Sequence, residues 1–348
     1  MAITQVVGVD IGSGAIRAVE VTGIGSKRPT VVRFSTMPLP EGAVHAGEVL
    51  EINTVAAALK QLWSTAKFSS KNVVLGVGNS KVLVRDLSVP KLSLTEIRES
   101  LATHVQEMLP VPVADAILDF YPISETASET GPIVNGLLVA VIKDSVLANV
   151  KAAQSAGLTP VGVDLIPFAL TRLTPAARLV GNVAHVEIGS RTTNVIVTTG
   201  GVPQFVRTIA NGSNDLTVAL ADRLEISIAD AEALKRHLGL FGAAATPEQA
   251  PAVNVIREIT GTLLSNLRDT LSYFANSRQN EPFAGIVLSG GGSQLLGLAD
   301  AFSEMTRIPV VLGDTFGNVE VAKDASKGAQ SQAGLNVALG LALGGAAA

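Results

Sequence analysis

The chain has 348 residues, 47% of them hydrophobic and 16% charged, with 33 glycines and a formal net charge of −4. That balance excludes a disordered chain, and without a long basic run it offers nothing to nucleic acid or to an anionic membrane surface. No cysteine is present, which removes disulfide frameworks and Cys-zinc sites, and the length exceeds what one core usually organises, so two lobes are expected.

The N-terminus enters a β-type run directly, with no basic region followed by an apolar signal core. Three strands are predicted at Ile3–Val9, Ala15–Val21 and Thr30–Phe34, then a helix over Ile52–Phe68 and a buried strand at Asn72–Gly78. From about Lys81 to Asp164 the texture changes. Strand Val82–Leu87 leads to helix Ser93–Met108, which Ser93 and Glu96 open as a capping box. Strands Ile117–Ile123 and Ile133–Ile142 flank a polar loop at Ser124–Pro132, and Asp144 caps a helix that Gly157 stops. This reads as an inserted β-α-β-β-α subdomain.

The second half opens on strands Val183–Ile188, Asn194–Thr199 and Val202–Ile209, with Gly200-Gly201 as a hairpin turn. Helices follow at Asn214–Leu224, Ile228–Leu238 and Val253–Asn276, the last two separated by an Ala/Pro-rich loop at Gly242–Pro251. Strand Ile286–Leu288, a Gly-rich turn, helix Gln294–Met305 and helix Asn336–Leu343 complete the chain. The apolar Leu335–Leu343 stretch is shorter than the roughly 20 residues a spanning helix needs and lacks a basic face, so no direct membrane insertion is expected.

Each half therefore begins as three antiparallel strands and continues into helices, and each carries the same turn. The first copy is Asp10-Ile11-Gly12-Ser13-Gly14; the second is Glu187-Ile188-Gly189-Ser190-Arg191-Thr192. Glycines at such a turn allow positive φ and close approach, the free N–H groups make an anion nest, and Ser13, Ser190, Thr192 and Thr193 add hydroxyls. Asp10 and Glu187 supply one carboxylate apiece for Mg²⁺, held through water because the ion keeps much of its hydration shell. One copy alone reads equally well as an ordinary Gly-rich hairpin. Two in corresponding places point to a polyphosphate clamp.

A third element, Ser289-Gly290-Gly291-Gly292-Ser293, runs from strand towards helix and offers flat packing to a base and sugar. Glu232 and Lys235 lie at i and i+3 of one helix; they bracket an adenosine or form a solvated ion pair, and the sequence favours the ion pair. His45, His104, His185 and His237 are scattered without ligand spacing, and His185 reads as packing beside Glu187. Glu125 and Glu129 read as solvated loop carboxylates.

Together these residues resemble the actin/Hsp70/sugar-kinase ATPase superfamily. The order of motifs matches: phosphate loop, insertion, phosphate loop, helical piece, adenosine turn, closing helix. Within it the chain resembles the PilM family of type IV pilus assembly, relatives of the division protein FtsA. Leu158–Leu170 and Asn211–Thr217 carry that likeness. The resemblance implies a two-lobed α/β, ribonuclease H-like fold with four subdomains: a lobe-one core (1–79 and 165–182), the insertion (80–164), a lobe-two core (183–213 and 283–348) and a helical subdomain (214–282). Connections near Asp164–Leu173 and Ala333–Leu343 would join the lobes.

It further implies ATP and Mg²⁺ as cofactors, with Asp10 and Glu187 at the metal. Gly12, Ser13, Gly14, Gly189, Ser190 and Thr192 would hold the phosphates, and Glu232, Lys235 and Gly290, Gly291, Gly292 and Ser293 the adenosine. The implied protein is a cytoplasmic scaffold with weak or no ATPase activity. It binds the tail of a PilN-like membrane partner in a groove between lobe one and the insertion, with other pilus components or self-association as further contacts and no nucleic acid. Glu187 departs from the family's Asp, which implies slow hydrolysis. The rival readings are an FtsA-like filament former and a small-molecule kinase, for which Asp164 is the interior general-base candidate.

Overall fold

The computed structural model describes residues 5–129, 131–174, 180–240, 246–277, 281–325 and 334–345. The predicted strand start at Ile3, part of the Gly242–Pro251 loop and Ala333 lie outside them.

The first three strands are β1 (Gln5–Ile11), β2 (Ala15–Thr22) and β3 (Thr30–Pro38). A small hairpin, β4 (Val44–His45) with β5 (Glu48–Val49), precedes α1 (Ile52–Ala66) and β6 (Asn72–Val77). The insertion holds β7 (Leu83–Pro90), α2 (Leu94–His104), β8 (Ala116–Ser128) and β9 (Gly131–Ile142). The chain returns through α3 (Lys143–Ser155), β10 (Thr159–Leu165) and α4 (Ile166–Thr171).

The second half has β11 (Asn182–Ile188), β12 (Thr193–Thr199), β13 (Val202–Ile209), α5 (Ser213–Leu224), α6 (Ile228–Leu238) and α7 (Ala250–Ser277). It closes with β14 (Phe283–Ser289), α8 (Leu298–Thr306), β15 (Val310–Leu312), β16 (Glu320–Val321) and α9 (Asn336–Gly344).

Two sheets share one topology. The first runs β10-β6-β1-β2-β3-β16 and the second β13-β12-β11-β14-β15. In each, the opening strands pair antiparallel and the next two join parallel beyond the first strand. The duplication thus extends to five strands per lobe. β1 and β11 lie inside their sheets and are buried almost throughout, which is why apolar residues occupy both faces of each.

Between the sheets lie two helices in contact. α9 packs on β1 and β2, and α4 packs on α9 from one side and on β12 from the other. Small residues permit this: a Cβ on Gly8 would strike the Ala338 carbonyl, and one on Gly340 the Ala169 carbonyl. Leu339 and Leu341 are fully buried here, each stabilising the stack by about 2 kcal/mol.

This layer corrects the expected boundaries. Residues 283–348 do not all belong to lobe two, because β16 hydrogen-bonds to β3 and α9 sits in the core over the first sheet. The insertion does not run to 164 either. Helix α3 packs with α1 in the first lobe's core, and β10 pairs parallel with β6. What remains inserted is the sheet β7-β9-β8 with α2. The capping box of α2 is present, with the Ser93 N–H donating to Glu96 Oε2 at 2.9 Å.

Three other local expectations change. The Ser124–Pro132 loop is largely strand, because β8 stays paired with β9 from Ala116↔Ile142 to Ser128↔Gly131, with one register shift between Pro122 and Ser124. Asp144 is not the cap of α3 but lies in its first turn. A 3-10 turn at Gly291–Gln294 separates β14 from α8, so no α-helix begins at the glycine triplet.

One apolar cluster joins three parts of the molecule. Val77 and Leu165 come from the first sheet, Val139 and Val141 from the inserted β9, and Ile196 and Val206 from the second sheet.

Candidate nucleotide cleft

The two repeated turns open onto one cavity of about 1050 Å³ between the lobes. That is ample for a nucleotide-sized ligand. Both turns are closed by equivalent backbone bonds, Gly12 N–H to Ala15 O at 3.1 Å and Gly189 N–H to Thr192 O at 2.9 Å. These two N–H groups are therefore used within the loops. The N–H groups of Ser13, Gly14, Ser190 and Arg191 make no backbone hydrogen bond among the described residues, so these are the loop donors that could face an anion. Positive φ is not the glycines' role, since Gly12, Gly14 and Gly189 all lie outside the left-handed region.

The second loop is pinned from behind by α5. Ser213 N–H donates to Gly189 O at 2.9 Å, and Asn214 N–H to Ser190 O at 2.8 Å. A side chain at Gly212 would collide with the Ser190 carbonyl, so the approach requires glycine there.

Asp10 and Glu187 stand at the ends of β1 and β11, both buried and both on the cavity wall. The register of each hairpin sets a partner opposite: Asp10 faces Arg17, and Glu187 faces Asn194. Arg17 Nη1 lies 3.6 Å from Asp10 Oδ2, and Asn194 Nδ2 donates to Glu187 Oε2 at 3.0 Å. Burial raises the proton affinity of Asp10, with Arg17 opposing it. Burial, then the charge of Asp10, pushes Glu187 up to about 7, against the Asn194 hydrogen bond and Arg17.

Two buried carboxylates with one arginine acting on both form a site short of positive charge. No cluster of three or more His, Cys, Asp or Glu able to hold a metal occurs among the described residues. The pair therefore fits an ion that takes only one or two carboxylates and draws its other ligands from water and phosphate, as Mg²⁺ does.

At the other end, Glu232 and Lys235 do not form a solvated pair. Lys235 is buried, and its ammonium meets Glu232 Oε2 at 2.6 Å, Thr217 Oγ1 at 2.7 Å and Ser213 O at 3.2 Å. Those three acceptors use all its protons. Thr217 Oγ1 donates to Glu232 Oε2 at 2.7 Å and Arg236 Nε to Glu232 Oε1 at 2.9 Å. Burial opposes ionisation of Glu232, and the bonds from Lys235, Thr217 and Arg236 overcome it, holding the carboxyl below its usual range. Glu232 is thus a fixed anion on the wall, with acceptor capacity left on Oε1.

Of the predicted residues, Asp10, Gly12, Ser13, Gly14, Glu187, Gly189, Ser190, Thr192, Glu232, Lys235, Gly291 and Gly292 line this cavity. Gly290, Ser293 and Asp164 do not. Gly290 has φ +86, and a Cβ there would lie 2.7 Å from Glu187 Oε1, so it locks the triplet to the second loop. Ser293 Oγ donates to Gly290 O at 2.7 Å. Asp164 spends its carboxylate on Arg172 at 2.5 Å and on the Leu165 N–H at 2.8 Å, away from the cleft, and is no general base for it. Thr193 is buried with its hydroxyl on Asn211 O at 2.8 Å.

Sequence reasoning missed Arg17, Asn194, Arg191 and two exposed apolar wall residues, Ile228 and Leu296. Arg17 was accessible: in a hairpin whose turn is Gly12–Gly14, pairing places it opposite Asp10.

The family model described as type IV pilus assembly protein PilM matches residues 8–346. Among solved structures, one of the "PilM-PilN type IV pilus biogenesis complex" is similar over 99% of both chains, at 27% identity and a TM-score of 0.84. The ethanolamine utilization protein EutJ from Carboxydothermus hydrogenoformans is similar at 15% identity, over 99% of this chain and 90% of its own, with a TM-score of 0.59. MreB 5 of Spiroplasma citri bound to AMPPNP is similar at 12% identity, over 90% of this chain and 92% of its own, with a TM-score of 0.56. At those identities the last two establish a shared two-lobed, actin-like fold.

Proposed function

The chain belongs to the PilM family of type IV pilus assembly proteins, and from that premise we propose that it is a nucleotide-gated scaffold for a membrane partner. The nucleotide is ATP with Mg²⁺. Phosphates lie between the loops at Gly12–Gly14 and Gly189–Thr192, Asp10 and Glu187 hold the hydrated metal, and adenosine lies against Glu232, Gly291 and Gly292. When bound, the metal supplies charge to the phosphates. Asp10 and Glu187 orient it, while Ser13 and Ser190 donate to phosphate oxygens.

The observation that carries this reading is the pair of carboxylate-bearing turns facing one cavity with equivalent closure. Hydrolysis is slow or absent in this reading: of the carboxylates near the two loops on the cavity wall, Asp10 and Glu187 serve the metal, and Asp215 accepts from Asn211 Nδ2 at 2.9 Å and the Gly212 N–H at 3.0 Å.

The partner is the cytoplasmic tail of a PilN-like inner-membrane protein, as the full-length likeness to the PilM-PilN complex supports. Its groove lies between the first lobe and the insertion, where Tyr121 of β8 packs against Phe168 of α4 with tilted rings whose centroids are 5.1 Å apart. Association with the inner face of the membrane comes through that partner; no helix among the described residues is long and apolar enough to cross one. Nucleotide acts by binding the closed form better than the open one, which shifts the population presenting the groove.

The test combines a fluorescent-ATP titration with Mg²⁺, phosphate release on the same sample, and binding of a synthetic partner-tail peptide with and without ATP. Binding with almost no release, and a tail affinity that rises with ATP, supports the scaffold. Rapid release makes the protein an enzyme instead. Failure to bind ATP refutes the cleft assignment.

A further inference from the structure

Arg191 stands in the second loop between Ser190 and Thr192, and its side chain reaches to the other lobe. Its Nη2 lies 3.2 Å from Glu41 Oε1. Glu41 follows Leu39 by two residues, and the Leu39 N–H donates to Gly14 O at 3.1 Å. The ion pair therefore starts on one phosphate loop and ends beside the other, spanning the cleft between them. Arg191 lines the cavity and Glu41 does not.

The other basic side chains on the wall have partners that are buried or only partly exposed. Lys235 has three acceptors, Arg236 bonds to Glu232, and Arg17 sits by the buried Asp10. Glu41, by contrast, has an 88% exposed side chain. An ion pair with so solvated a partner contributes little and is readily exchanged. A guanidinium gains more from the fork it makes with phosphate oxygens.

We propose that Arg191 is the specificity-determining residue for the terminal phosphate of a nucleoside triphosphate, and that its bond to Glu41 is the latch it leaves on binding one. The inference rests on the nucleotide reading above. The adenosine end lies at Lys235 and Gly291, so the phosphate chain extends towards the two loops and its last member arrives where Arg191 crosses. A diphosphate stops short and leaves the latch closed. The cleft thereby distinguishes the two nucleotides without hydrolysing either, and reports the difference to both lobes.

The test is the affinity for Mg-ATP and Mg-ADP, measured by competition on the full chain for the wild type, Arg191→Ala and Glu41→Gln. Arg191→Ala should weaken ATP about tenfold or more, the loss of a charged hydrogen-bonding partner, and ADP by less than about twofold. Glu41→Gln lies outside the cavity and removes only the competitor, so it should tighten ATP by about two- to threefold and leave ADP unchanged. Equal losses for both nucleotides in Arg191→Ala, or no change in Glu41→Gln, would overturn the latch while leaving the nucleotide cleft intact. A wild type that binds neither nucleotide would remove both readings together.

Discussion

Glu187 and His185 sit two residues apart on β11 and respond to pH in opposite senses. Burial pushes His185 down to about 4 from the ordinary 6.5, while Glu187 rises from 4.5 to about 7. Between pH 4.5 and 7 the folded state holds a proton on Glu187 that the unfolded state has released, so this residue makes stability fall as pH rises. Between pH 4 and 6.5 the unfolded state holds a proton on His185 that the folded state excludes, so this one makes stability rise with pH. The slopes oppose, at no more than about 1.4 kcal/mol per pH unit each. Glu187→Gln should expose the histidine's rising limb in melting curves from pH 5 to 6.5, and His185→Asn the carboxylate's falling one. Metal-dependent nucleotide binding should weaken below pH 7, because Glu187 must then lose its proton. Asp10→Ala should abolish magnesium-dependent ATP binding with the fold intact, and unchanged affinity would remove Asp10 from the site. The glycine triplet separates two roles at the same scale. A Cβ at Gly291 meets nothing within 4 Å, so Gly291→Val should keep the melting temperature and block the base. Gly290→Val should unfold or distort the second loop instead.

Among the elements, α9 and the strands that cross between lobes show where sequence reading reached its limit. The hairpins were legible because their signals are local: Gly200-Gly201 forces the turn between β12 and β13, and the capping box fixes α2. The repeated turn was legible because it occurs twice. Strands β10, β15 and β16 were not, since each is short or contiguous with another piece and is defined by a distant parallel partner. The apolar stretch at α9 announced a buried helix without saying which sheet it covers, and proximity in sequence pointed to the wrong lobe. Arg191 is plain in its loop motif but has no partner legible in the sequence, because Glu41 lies 150 residues earlier. The helices give a direct comparison. Gly340→Val, pressing on the Ala169 backbone, should cost about 3 kcal/mol in chemical denaturation. Gly261→Ala in α7, where a Cβ meets open space, should stabilise by about 1 kcal/mol.

At the scale of the molecule, the cluster of Val77, Leu165, Val139, Val141, Ile196 and Val206 ties the insertion to both lobes. Relative motion of the lobes must therefore either carry the insertion along or shear it off the second sheet. Val206→Asp places a charge in that contact and should loosen the insertion from lobe two. Hydrogen exchange over residues 134–142 should rise, and partner-tail binding should lose its response to ATP. Unaltered exchange there would mean that the insertion rides on lobe one alone.

The position of α9 has one further consequence, for the order in which the lobes are made. The first sheet is encoded first, yet its inner face is covered by residues 335–342. During synthesis that face stays bare until almost the whole described chain has left the ribosome, while the second sheet's other face can already pack on α7 and α8. The lobe translated first is therefore the lobe completed last, and a chaperone that shields nascent apolar surface would find its longest-lived target on β1 and β2.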